Sequence, residues 1–121
     1  MEAIKVLSKT NKLIDYQTFE SVEMRVGIVK EVADFPEARK PAYKLIIDFG
    51  PFGIKKTSAQ ITDHYNKEDL EGRQVIAVTN FPPKKIAGYK SEVLVLGTVL
   101  EDNSVKLIAP DSDVPPGTRI L

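Results

Sequence analysis

Cysteine and tryptophan are absent from the 121-residue chain, histidine occurs once, and no apolar run approaches the roughly 20 residues that cross a bilayer as a helix. Without cysteine there is no disulfide, no thiolate metal site and no cysteine nucleophile. His64 has no second or third ligand clustered near it for a metal, and neighbouring Asp63 is badly placed to orient it as a base, so neither a metal nor a catalytic residue is expected. Asp102, Asp111 and Asp113 lie in turn-like segments and read as solvated or capping carboxylates. A glycine-rich phosphate loop is also missing, and no cofactor is expected. The first residues lack the basic and apolar regions of a signal peptide, and the lack of cysteine fits a reducing compartment; the expectation is a soluble cytoplasmic protein with no membrane insertion.

Neither sign of charge is in excess, with 17 basic against 17 acidic residues, so no whole-molecule field draws the chain to a polyanion. The local distribution is uneven. Between Pro36 and Gln60 the basic residues Arg39, Lys40, Lys44, Lys55 and Lys56 face only Glu37 and Asp48, and Lys84, Lys85 and Lys90 follow; acidity collects at Glu101, Asp102, Asp111 and Asp113. A fold that joins the two basic stretches would have one positive face.

The apolar pattern is that of strands. Met24 to Ala33 alternates, with a bulge or bend expected at Gly27; Ala42 to Phe49, Ile54 to Ala59 and Gln74 to Thr79 follow as the second to fourth strands. Gly50-Pro51-Phe52-Gly53 reads as the turn between the second and third. Thr62 is expected to cap a short helical segment over Asp63, His64 and Tyr65, with another turn at Lys67 to Leu70 ended by Gly72. A fifth strand from Glu92 to Leu100 should pair through Glu101–Ser104 with a sixth at Val105 to Ala109, and Thr118 to Leu121 should add a terminal segment. At the N-terminus Ala3, Ile4, Leu7, Leu13 and Ile14 suggest an amphipathic helix, before a capped turn at Thr18 to Val22. Short strands with a helical interruption before the fourth indicate an all-β protein, a small Greek-key barrel such as the OB-fold.

Between the fourth and fifth strands lies Asn80-Phe81-Pro82-Pro83-Lys84-Lys85-Ile86-Ala87-Gly88-Tyr89-Lys90-Ser91-Glu92. Pro82 and Pro83 supply no N–H, so this segment is expected to stay out of the ladders and to present lysines and aromatics as a stiff loop. It is either a docking loop or a solubilised strand connection.

The run V-G-I-V-K-E-V-A-D-F-P-E-A-R-K-P-A-Y-K-L-I-I-D-F-G from Val26 to Gly50, with K-T-S-A-Q-I-T from Lys56 and N-F-P-P-K-K-I-A-G-Y-K-S-E-V-L-V-L-G from Asn80, resembles the CsaA family of the tRNA-binding-domain group. The resemblance implies a homodimeric OB-fold five-stranded Greek-key barrel with an N-terminal helix and additional C-terminal strands, divided into an extension over 1–18 and the domain proper over 19–121. It implies an ATP-independent chaperone for unfolded or export-bound polypeptides, with the protein-export machinery as a further partner; the alternative is a structure-specific tRNA-binding protein. Asn80, Pro83, Lys84, Lys85, Ile86, Gly88 and Ser91 match the group's loop pattern, whereas Val93 and Leu94 replace its Gly-Met pair. Candidate polypeptide contacts are Phe35, Pro36, Arg39, Ser58, Gln60, Phe81, Pro82, Ile86 and Tyr89; candidate RNA contacts are Arg39, Lys40, Lys56, Asn80, Lys84, Lys85, Lys90 and Ser91. The N-terminal helix and the strands after Leu96 are expected to contribute to the dimer.

Overall fold

A computed structural model describes residues 12–121. The expected helical positions Ala3, Ile4 and Leu7 lie outside the described residues. Leu13 and Ile14 are not helical and are exposed; the helix begins later, as α1 (Tyr16–Glu20), where the Asp15 side chain accepts the Thr18 N–H at 2.7 Å. A side-chain acceptor at this position satisfies one of the amides that a helix start leaves without a partner.

The strands are β1 (Met24–Asp34), β2 (Tyr43–Asp48), β3 (Ile54–Ala59), β4 (Gln74–Val78), β5 (Lys84–Ile86), β6 (Tyr89–Ser91), β7 (Leu94–Val95), β8 (Gly97–Val99), β9 (Val105–Leu107) and β10 (Arg119–Ile120), with α2 (Lys67–Leu70) before β4. The main sheet runs β3-β2-β1-β4-β7, and β10 pairs with β1. Besides its short pairing with β10, β1 belongs to two longer ladders in succession: Met24 to Ile28 pairs with β4, and Ile28 to Asp34 pairs with β2. The handover includes a register shift between Val29 and Glu31, which leaves Lys30 unpaired. Such a bulge sharpens twist and bends the strand, which lets one strand turn a barrel corner. The bend therefore falls after Val29, not at Gly27.

Gly27 has another role. A Cβ there would lie 2.5 Å from Ile47 Cγ2 and 2.7 Å from Phe49 Cε1, so the absence of a side chain lets β1 sit directly on two core residues. Ends of the sheet approach each other as well: the Glu92 N–H donates to Lys56 O at 2.8 Å, and buried Thr57 donates its hydroxyl to Val93 O at 2.6 Å. The result is a nearly closed barrel whose core includes Val29, Leu45, Ile47, Phe49, Leu70 and Val75.

Two expected elements differ. Thr62 to His64 forms a turn without a helix, and the fifth strand is broken into β7 and β8 because Gly97 brings its backbone against β9, where a Cβ would meet Val105 Cγ1 at 2.5 Å. The β8–β9 hairpin is held to the barrel by the Leu107 N–H, which donates to the Tyr65 hydroxyl at 2.8 Å; that hydroxyl is on the ring packed in the core.

Replacing Gly27 by Ala should destabilise the domain by about 1–3 kcal/mol through overpacking, read as a lowered urea midpoint with an unchanged m-value.

Candidate docking site

The segment after β4 does enter a ladder. Pro82 and Pro83 precede the paired residues, and Lys84–Ile86 pairs with Tyr89–Ser91 in a hairpin closed by Ala87 at φ +48° and Gly88 at φ +82°. Positive φ at both central positions matches the twist of a tight hairpin, and Gly88 adopts it freely while Ala87 does so at a cost.

The hairpin is seated on β3. The Ser58 N–H donates to Ser91 Oγ at 3.0 Å, and the two serine hydroxyls are 3.1 Å apart. Ser58 and Ser91, expected as ligand contacts, thus spend much of their hydrogen-bonding capacity on each other. Their side chains hold the hairpin beside the end of β3.

Seating the hairpin brings Tyr89 edge-on to Phe35, with ring centroids 5.5 Å apart. Phe35 is only 4% exposed and Tyr89 is half-buried over it, so Phe35 is the floor of this cluster and not an open anchor. Lys44 Nζ lies 4.9 Å from both ring centroids, and Lys56 Nζ lies 5.3 Å from that of Tyr89. Cations over aromatic faces gain about 0.5–1 kcal/mol each at exposed sites. Burial, with the Glu92 carboxylate adding to it, pushes the Tyr89 phenol above its ordinary range. Lys44 was not among the expected contacts, since only the fold places it beside a ring 45 residues away in sequence.

Beside this cluster opens a groove of about 740 Å³. Ala42, Ile61, Ile86, Leu94, Val95 and Val105 form its apolar surface, while Arg39, Lys40, Ser58 and Gln60 supply its polar groups, and no carboxylate lines it. Arg39, Ser58, Gln60 and Ile86 are expected polypeptide contacts that the fold brings together, and Arg39 and Lys40 are expected RNA contacts. Leu94, 49% exposed, was missed, though its outward position follows from alternation with buried Val93. Pro36, Phe81 and Pro82 are exposed but do not line the groove. Lys84, Lys85 and Lys90 stand exposed on the hairpin, and among the described residues none of the lysines of this face has a carboxylate within ion-pair distance. The positive face arises locally in a neutral chain.

Asn80 is engaged elsewhere. Its Oδ1 accepts the Glu23 N–H at 3.0 Å and its Nδ2 donates to Ser21 O at 2.7 Å. Glu23 itself accepts from Arg25 Nε at 2.7 Å, which holds its carboxyl below the ordinary range.

His64 is exposed, yet its Nε2 lies 2.8 Å from the Oγ of buried Ser104, which in turn donates to Asp102 Oδ1 at 2.5 Å. The single serine proton goes to the carboxylate, so the imidazole donates to the serine and does not act as its base. This chain is a clasp between two turns, and it lacks the histidine-centred order of a nucleophilic triad. No group of three or more potential metal ligands occurs among the described residues, and no described helix is long and apolar enough to cross a membrane.

A nearly closed barrel that carries an apolar groove beside a basic hairpin defines a small domain of the OB-fold class. Residues 24–119 match the family described as "Putative tRNA binding domain", and the chain belongs to that family and, within it, to the CsaA group. The crystal structure of chaperone CsaA from Bacillus anthracis is 50% identical with a TM-score of 0.87, covering 91% of this chain and 100% of that one. CsaA from Picrophilus torridus is 53% identical with a TM-score of 0.84, over 90% of this chain and 100% of that one. The methionine–tRNA ligase of Methanocaldococcus jannaschii is 34% identical over 107 residues, 88% of this chain but 16% of the ligase. The chain thus spans about a sixth of the length of such ligases.

Hydrogen bonds from Ser104 keep the Asp102 carboxyl below its ordinary range. A depressed carboxylate contributes stability above its unfolded value and loses it as pH falls through the folded value. In an acid titration followed by carboxyl ¹³C shifts, Asp102 should titrate below a free aspartate, and Ser104→Ala should return it toward the ordinary value.

Proposed function

We propose that the chain is a chaperone of the CsaA kind, which binds unfolded or export-bound polypeptides without ATP and works as a homodimer in the cytoplasm. The observation that carries this reading is the groove: apolar walls rimmed by Arg39 and Lys40, with the Gln60 amide in the lining to bond a client main chain and no opposing carboxylate. A binder of many sequences needs adaptable apolar contact more than a fixed hydrogen-bond pattern. Burying one large apolar side chain of a client there is worth roughly 1.5–3 kcal/mol. The crystal structures of proteins called chaperone, matched along their whole length, support the same reading. The protein-export machinery is the partner it implies.

Structure-specific tRNA binding is the second reading. It is favoured by the hairpin lysines and by the family match. Tyr89 is a poor stacking platform because lysines occupy its ring, which leaves Phe81, 52% exposed on the approach to the hairpin, as the aromatic open to a base. RNA would then be held chiefly through phosphates, with a steep salt dependence.

One preparation should be titrated with an unfolded precursor polypeptide and with bulk tRNA at several salt concentrations. Leu94→Asp should weaken polypeptide binding about tenfold or more, since it places a charge in the apolar wall. Lys84→Ala with Lys85→Ala should reduce tRNA affinity and flatten its salt slope by about two phosphate equivalents while changing polypeptide binding about twofold at most. Tight, salt-steep tRNA binding with no polypeptide affinity would reverse the order of the two readings.

For the homodimer, removal of residues 1 to 14 should shift light scattering toward the monomer. An unchanged dimer mass would take that segment out of the interface.

A further inference from the structure

We infer that Asn80 is a positioning residue: its side-chain amide adds a last rung to the β1–β4 ladder and thereby sets the direction in which the β5–β6 hairpin leaves the barrel. The ladder pairs Met24 with Val78, and the Thr79 N–H continues it by donating to Glu23 O at 2.8 Å. Beyond that point the main chain turns toward Pro82 and Pro83, which have no N–H to offer. The Asn80 side chain takes over: Oδ1 receives the Glu23 N–H and Nδ2 reaches Ser21 O. The amide in this orientation serves both partners, because its oxygen accepts from the one while its NH2 donates to the other.

The strand approach that Asn80 grips is itself anchored. Arg119 of β10 donates to Glu20 O at 2.9 Å, and the Glu23 carboxylate accepts from Arg25 and Thr79. The hairpin therefore has two fixed points. Asn80 holds its root against 21–23, and the Ser58–Ser91 and Glu92–Lys56 bonds hold its far strand against β3. Between them, Ile86 reaches the groove and Tyr89 covers Phe35. A residue fully engaged in this way acts on ligands through the hairpin and not by direct contact. Aspartate at this position would accept from Glu23 but offer nothing to Ser21 O, and would add charge near the Glu23 carboxylate.

The test compares Asn80→Ala and Asn80→Asp with the parent protein by amide hydrogen exchange and by polypeptide and tRNA titration. The Glu23 amide reports the rung directly, and the Ser58 and Glu92 amides report how the hairpin is seated. Exchange at Glu23 should accelerate about tenfold in Asn80→Ala, the scale of one lost hydrogen bond. In Asn80→Asp it should change less at Glu23, and in both variants Ser58 and Glu92 should exchange faster and affinity should fall. Unchanged exchange at all three amides overturns the inference, and a loss of tRNA affinity with that unchanged exchange would make Asn80 a direct ligand instead. The affinity arm alone rests on the proposed docking role of the hairpin. Faster exchange with unaltered affinity for both ligands would uphold the rung and remove the hairpin from the docking surface.

Discussion

The structure depends on one strand serving two long ladders in turn. β1 must pair with β4 over its first half and β2 over its second, and the bulge after Val29 provides the bend that makes this possible. Gly27 permits the first half to lie on Ile47 and Phe49, so the barrel corner and the core are settled by neighbouring residues. Once β1 is bent, β3 and the segment before β7 meet on the far side. Lys56, Thr57, Glu92 and Val93 then close the ring with three hydrogen bonds: the Glu92 N–H to Lys56 O, the Thr57 hydroxyl to Val93 O, and the Lys56 N–H to the Glu92 carboxylate.

That closure also creates the candidate docking face. The residues immediately before the closing pair are those of the β5–β6 hairpin, so pinning Glu92 to Lys56 places Tyr89 over Phe35 and Ile86 at the groove. Lys44 and Lys56 project from adjacent strands of the sheet onto the same aromatic cluster. A chain with equal numbers of acidic and basic residues thereby carries an uncompensated positive face among its described residues. Local geometry, more than net charge, decides what such a surface attracts.

Much of the barrel could be read in the amino-acid order. The third strand, Ile54–Ala59, coincides with its expected limits, and β1, β2 and β4 differ by a residue or two, because apolar alternation and the Gly50–Gly53 turn are local signals. The hairpin at 84–91 was concealed by its two prolines, although they stop short of the ladder and Ala87-Gly88 between Ile86 and Tyr89 was the available turn signal. Thr62 met no run of helix-forming contacts and remained in a turn. Within the site, the candidates Arg39, Ser58, Gln60 and Ile86 converge, but Phe35 is sealed and Asn80 is spent on the main chain. Those outcomes depend on partners 33 to 59 residues away, as with Ser58–Ser91 and Asn80–Ser21, and periodicity contains no such information.

Among the described residues β5 has a neighbour on one side only, and all three of its residues are exposed. Bare strand borders invite other chains to stack on them, and proteins often discourage this with lysine and proline. Lys84 and Lys85 occupy that border, with Pro82 and Pro83 at its approach. Two copies meeting there would set ammonium against ammonium, whereas an extended foreign segment of neutral or acidic character would meet no such repulsion. Lysine at an open strand border thus disfavours like-with-like stacking while leaving the border open to a chain of other charge.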